Sequence, residues 1–152
     1  MGPASKALEV ATKLCIEFEG FRSSPYLDSV GVATIGYGTV FKPDGTRVTM
    51  RDNPISVETA LEWLDETLQG YAIGVLKASP NLLRYPQALG AITDFAYNLG
   101  TARYRASTLR RKINEENWPD AVTELHKWRR GGGKVLPGLV RRRAAEAKFL
   151  RS

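Results

Sequence analysis

The sequence predicts an α+β protein, with a small antiparallel sheet near the N-terminus and a larger helical portion after it. Three observations carry this reading. Apolar residues recur at spacings of three and four over 5–19, over 57–78 and in several later runs, the period of helices that bury one face. Between 30 and 41 the β-formers Val30, Val32, Ile35, Tyr37, Thr39, Val40 and Phe41 are punctuated by Gly31, Gly36 and Gly38, the pattern of short strands and turns. A length of 152 residues suits one domain, built as two small lobes around a shared core.

The first helix is expected over 5–19. Leu8, Ala11, Leu14, Cys15 and Phe18 form its apolar stripe, Ser5 offers an N-cap, and Gly20 can take the left-handed conformation that ends a helix. Cys15, the lone cysteine, falls on that stripe and reads as a buried structural thiol. An internal disulfide is impossible, and a reducing compartment is the expected place of synthesis.

A β lobe is expected over about 22–50. Lys42-Pro43-Asp44-Gly45-Thr46 signals a turn, and Arg47-Val48-Thr49 is a candidate third strand, giving a sheet of two or three strands that is too small to stand alone. Ser56 then opens a linking helix over about 57–78, whose stripe is Ala60, Leu61, Leu64, Leu68, Tyr71, Ala72, Val75 and Leu76. A helical lobe over about 81–152 completes the domain. Its centre is the segment from Tyr85 to Gly100, apolar nearly all round and therefore a buried helix. Further helices are expected from near Ser107, from about Trp118 to Trp128, and from about Leu139 to Arg151. The run from Arg129 to Gly138, with its triple glycine, reads as a mobile loop.

Charge is unevenly spread. Net charge is +6, yet residues 126–152 hold nine Lys or Arg against the single acid Glu146, while the first 125 residues carry a slight acidic excess. A polyanionic partner is implied: nucleic acid, a membrane surface or an anionic cell wall. No apolar run approaches the ~20 residues that would span a bilayer, and the first ten residues lack a secretory signal pattern.

The chemistry is concentrated near the end of the first helix. Phe18 and Phe21 flank Glu19, whereas Asp28 sits among Tyr26, Ser29 and Gly31. The first setting is drier and lies at a helix C-terminus, where the dipole disfavours negative charge, so Glu19 is expected to keep its proton. Asp28 is expected to be solvated and ionised. Such a pair can divide into proton donor and proton acceptor. Taken singly, each has a bland reading: a solvated Glu at a helix end, an Asp turn former, and for Thr34 a strand threonine. Glu17 projects about 200° around the helix from Glu19 and should face water.

The words Glu19-Gly20-Phe21-Arg22, Tyr26-Leu27-Asp28 and Thr34-Ile35-Gly36-Tyr37-Gly38 together resemble the phage-type lysozymes, the endolysins of glycoside hydrolase family 24. Phe95-Ala96-Tyr97-Asn98-Leu99-Gly100, the run from Ser107 to Asn114, and the run from Pro137 to Glu146 resemble the same family, in the same order. The resemblance implies a lysozyme-like fold and hydrolysis of the β-1,4 bond between N-acetylmuramic acid and N-acetylglucosamine in bacterial peptidoglycan. It implies Glu19 as general acid, Asp28 as general base and Thr34 as the residue positioning water, with inversion at the sugar carbon. Tyr37, Tyr97 and Asn98 match family positions near the sugar cleft, and Trp128 is a further substrate-contact candidate, with core packing as its rival reading. One departure is visible: Gly38 is followed by Thr39, where many members carry histidine.

No cofactor is implied. His126, the only histidine, has no Cys or Asp partner at metal-ligand spacing, so no metal site is expected. The implied partner is peptidoglycan, met by a monomer, with Arg141, Arg142 and Arg143 either contacting an anionic envelope or pairing with the catalytic acids. Without an encoded signal, the expected location is the host cytoplasm until a membrane lesion releases the protein. Alternatives are a lytic transglycosylase, which would need neither Asp28 nor Thr34, and a non-enzymatic basic protein binding nucleic acid or membrane. Against nucleic acid, no recognised DNA- or RNA-binding motif is present.

Overall fold

The computed structural model describes residues 2–150, which divide into two compact units. One combines Met1–Leu14 with Leu68–Ser152, and the other is Cys15–Thr67. The chain passes between them twice, each time inside a helix. Those helices are α1, Pro3–Glu19, and α2, Val57–Ala78. α1 begins two residues ahead of Ser5, with Pro3 in the first turn, where the missing N–H costs no helical hydrogen bond.

The unit Cys15–Thr67 holds a two-stranded antiparallel sheet, β1 (Arg22–Leu27) with β2 (Ala33–Gly36). Tyr26 pairs with Thr34 and Leu27 with Ala33, and the register is interrupted between Tyr26 and the Arg22–Gly36 pair. The third strand expected from Arg47-Val48-Thr49 does not form: only the isolated bridge from Phe41 to Arg47 is present there. Asp44 accounts for much of this. Its Oδ1 accepts from the Thr46 amide at 2.9 Å and the Thr46 hydroxyl at 2.6 Å, so a side chain takes bonds that a ladder would use.

The other unit carries a short 3₁₀ turn, Pro80–Arg84, followed by α3 (Pro86–Leu99), α4 (Thr101–Arg105), α5 (Thr108–Asn114) and α6 (Trp118–His126). The strands β3 (Arg130–Gly131) and β4 (Lys134–Val135) and the helix α7 (Pro137–Ala147) complete it. The core gathers Leu82, Leu89, Ile92, Phe95, Tyr104, Leu109, Ile113, Leu125 and Leu150, all without solvent exposure. α3 is its axis, buried without a break from Ala88 to Ala96. Gly90 is there for close approach, because a Cβ on it would lie 2.5 Å from the Ala7 carbonyl oxygen.

Two differences from the sequence reading matter. The glycine-rich run is a hairpin rather than a loop, with Arg130 paired to Val135 and Gly131 to Lys134. Gly132 and Gly133 both have positive φ, 58° and 79°, which a two-residue turn between right-twisted strands requires. Composition signalled flexibility, but consecutive glycines there encode a tight turn. The last helix starts at Pro137 and its described end is Ala147; the expected end at Arg151 lies outside the described residues. Among the described residues no helix is long and apolar enough to cross a membrane.

Candidate active site

Glu19, Asp28 and Thr34 all lie in the unit Cys15–Thr67. Glu19 is the last residue of α1, and Gly20, at φ 72°, turns the chain out of the helix toward β1. Glu17 is exposed and Glu19 half-buried, so the helix turns the two side chains into different surroundings. Asp28 follows β1 and opens the turn to β2. That turn closes through the Asp28 amide to the Val32 carbonyl at 3.0 Å and the Gly31 amide to the Asp28 carbonyl at 3.0 Å.

The expected contrast between a dry Glu19 and a wet Asp28 is not found, since both are half-buried. Hydrogen bonding distinguishes Asp28 instead. Its Oδ1 accepts from the Val30 amide at 2.9 Å and from the Val32 amide at 2.8 Å. Both bonds fall on one oxygen, which fixes the carboxyl plane and leaves Oδ2 outside this pair of contacts.

Thr34 is buried, 4% exposed, and its Oγ1 donates to the Val32 carbonyl at 2.9 Å. A hydroxyl has one proton, so Thr34 meets any further partner as an acceptor. Tyr26 faces Thr34 across the ladder, and Asp28 follows two residues after Tyr26, just past the end of β1.

Tyr26 reports on the electrostatics of this face. Burial raises its phenol above the usual value, and the Glu19 and Asp28 carboxylates raise it further, while Arg22 opposes them. The Arg22 guanidinium stacks on the Tyr26 ring at 4.3 Å from its centroid.

The other sequence candidates scatter. Tyr37 is buried, 7% exposed, with its ring tilted against Phe21 at 5.6 Å. Thr39 replaces the expected histidine at a backbone bridge. Its amide donates to the Ile35 carbonyl at 2.9 Å and its carbonyl accepts from the Ile35 amide at 3.0 Å, so the contact is made without a side chain. Its Oγ1 is buried and makes no hydrogen bond.

Tyr97, Asn98 and Trp128 belong to the helical unit. Tyr97 packs edge-on against Tyr71 at 5.5 Å, and Trp128 packs edge-on against Phe95 at 5.5 Å on the rim of the core. The Asn98 carbonyl oxygen accepts from Arg143 Nη2 at 2.8 Å, which fixes the amide's orientation.

The three consecutive arginines divide. Arg141 is exposed, while Arg142 and Arg143 are 4% and 0% exposed. Arg142 grips Asp94 with two bonds, Nε to Oδ2 at 2.9 Å and Nη2 to Oδ1 at 2.7 Å. Arg143 pairs with Glu146, Nη2 donating to Oε2 at 2.9 Å; Nε and Oε1 also approach to 2.7 Å, but off the hydrogen-bond line. Sequence reasoning missed Asp94 and Glu146. The signal was an acid inside an apolar helix, and another four residues after Arg142, each needing a buried partner.

Comparison with known proteins fits these elements. The fold is that of a lysozyme. The chain belongs to the phage lysozyme family, whose model matches residues 16–146. The endolysin of Salmonella phage P22 is 33% identical over 135 residues, covering 87% of this chain and 89% of that protein. The endolysin of Bacillus phage PZA is 33% identical over 146 residues; the match covers 95% of this chain and only 54% of that protein, so the chain spans about half the length of that relative. Among solved structures, the endolysin from Escherichia coli O157:H7 phage FAHEc1 superposes with a TM-score of 0.80 at 28% identity, over 99% of this chain and 93% of that one.

Proposed function

We propose that this chain is a muramidase of the endolysin type, hydrolysing the β-1,4 bond between N-acetylmuramic acid and N-acetylglucosamine in peptidoglycan. The observation that carries the reading is the shared neighbourhood of two carboxyl groups and Thr34. Tyr26 faces Thr34 across the ladder, Asp28 follows just past β1, and the charges of Glu19 and Asp28 both act on Tyr26.

In the proposed reaction Glu19 gives its proton to the glycosidic oxygen as the bond to the sugar carbon breaks. A water attacks that carbon and passes a proton to Asp28, which inverts the configuration. Thr34 suits the water-holding role because its own proton is committed to Val32, leaving lone pairs to accept from the water. Glu19 ends ionised and Asp28 protonated; exchange with solvent restores both.

The protein acts in this reading as a monomer, held in the host cytoplasm until a membrane lesion gives access to the wall. Steering by basic charge falls to the exposed residues, Arg129, Arg130, Lys134 and Arg141 among them, since Arg142 and Arg143 are internal. Turbidity of purified peptidoglycan should fall with the parent protein and stay constant with Glu19→Gln at unchanged Tm. Release of products with a gain of water and α-configuration is expected by mass spectrometry and proton NMR. Anhydro ends would point to a transglycosylase, and a β-anomer would make Asp28 a nucleophile.

A further inference from the structure

Tyr26 is not among the residues given a role above. Three features set it apart. It faces Thr34 across the ladder and lies two residues before Asp28. The Arg22 guanidinium stacks on its ring at 4.3 Å from the centroid. Its side chain is half-buried, and among the described residues no hydrogen bond joins its O–H to the protein.

We propose that the Tyr26 phenol is a substrate-contacting donor, giving a hydrogen bond to the sugar bound between Glu19 and Asp28. This deepens the muramidase reading and rests on it. A saccharide reaching Asp28 and Thr34 meets the residue that faces Thr34 across the ladder two positions before Asp28, and sugars present hydroxyl and acetamido oxygens as acceptors at every position. A phenol is suited to that place for an electrostatic reason. The charged groups acting on it are Glu19 from α1, with Arg22 and Asp28 from β1 and the turn that follows it; the facing strand β2 (Ala33–Gly36) brings none. Burial and the two acids raise the phenol above its usual value, so it remains a neutral donor at every pH where an acid–base pair can work. A lysine there would pair with the carboxylates and alter their protonation; a third acid would repel them.

Tyr26→Phe keeps the ring, its packing and the stacked guanidinium while deleting only the O–H. Binding is measured apart from chemistry by titrating a tetrasaccharide of alternating N-acetylglucosamine and N-acetylmuramic acid into Glu19→Gln protein, with and without Tyr26→Phe. The expected result is a three- to tenfold weaker Kd in the double variant, the loss of about one hydrogen bond, with the same Tm. Equal affinity overturns the proposal, as does weaker binding accompanied by a lower Tm, which would make the residue structural. Should Tyr26→Phe fail to fold, Tyr26→Leu also deletes the O–H, and unchanged tetrasaccharide affinity there overturns the proposal equally. Lysis by Glu19→Gln alone would instead overturn the muramidase reading, so the two failures are distinguishable.

Discussion

Asp94 and Glu146 are both without solvent exposure, and each is held by a buried arginine: Arg142 bonds Asp94 twice, and Arg143 Nη2 donates to Glu146 Oε2 at 2.9 Å. Burial holds Glu146 well above the usual carboxylate range, the neighbouring Asp94 carboxyl adds to this, and Arg143 and Arg142 oppose it. The internal cluster is thus two guanidinium groups facing two acids, in which folding makes Glu146 hold its proton more firmly.

The pH dependence of stability follows from that proton. Folding raises the value of Glu146 above its ordinary 4.5, so the native state binds more protons than the unfolded chain above that pH. Its contribution to stability is present in full below about pH 4.5 and is lost as pH rises toward the folded value. Glu146→Gln, which cannot titrate, removes this slope. Urea unfolding from pH 4 to pH 8 should show the variant gaining on the parent as pH rises. A variant that instead falls behind at high pH would mean an ionised Glu146 paired with Arg143.

The Asp94–Arg142 pair gives a larger effect. Both groups are desolvated and bonded twice, so Arg142→Ala strands a buried carboxylate and should cost about 3–5 kcal/mol. Asp94→Leu with Arg142→Met, which removes both charges and retains volume, should recover most of the loss. Additive losses in the double variant, read by urea midpoints, would show that packing rather than charge is at stake.

Two substitutions at Asp28 separate turn from chemistry. Asp28→Asn retains an oxygen for the Val30 and Val32 amides, so the turn survives while activity falls ~10²–10⁴-fold. Asp28→Ala loses both bonds and should lower Tm as well. Equal Tm for the two variants would deny the carboxyl its part in the turn.

Thr39 offers a stabilising change. Its hydroxyl is buried with no partner, so Thr39→Val, which replaces the oxygen by a methyl of similar size, should raise unfolding free energy by about 1 kcal/mol. The backbone bridge to Ile35 is unaffected by the change. A loss of stability would reveal a bound water that satisfies the hydroxyl.

Periodicity made α1, α2 and α3 legible, because each buries a continuous stripe. The short elements were harder. α4 and the 3₁₀ turn are five residues each, too brief to show a period. The hairpin after Arg129 was misread because glycine is both the flexible residue and the residue of left-handed turns, and composition does not say which. At the site, Glu19, Asp28 and Thr34 stood out by spacing and resemblance, while Tyr26 did not, since its place depends on a strand register. The buried acids were invisible for a related reason: a charged cluster in sequence says nothing about which members turn inward.

The distance in sequence between Asp94 and Arg142, 48 residues, also constrains how the protein is made. A ribosome delivers α3 with its acid long before α7 supplies the cation, so the growing chain cannot close the helical unit until α7 has been made. A product cut short before Arg142 would keep a lone carboxylate where the axis helix must be dry. Such a fragment stays open to proteases, whereas the sheet-bearing unit, whose residues are all synthesised by Thr67, has no such wait.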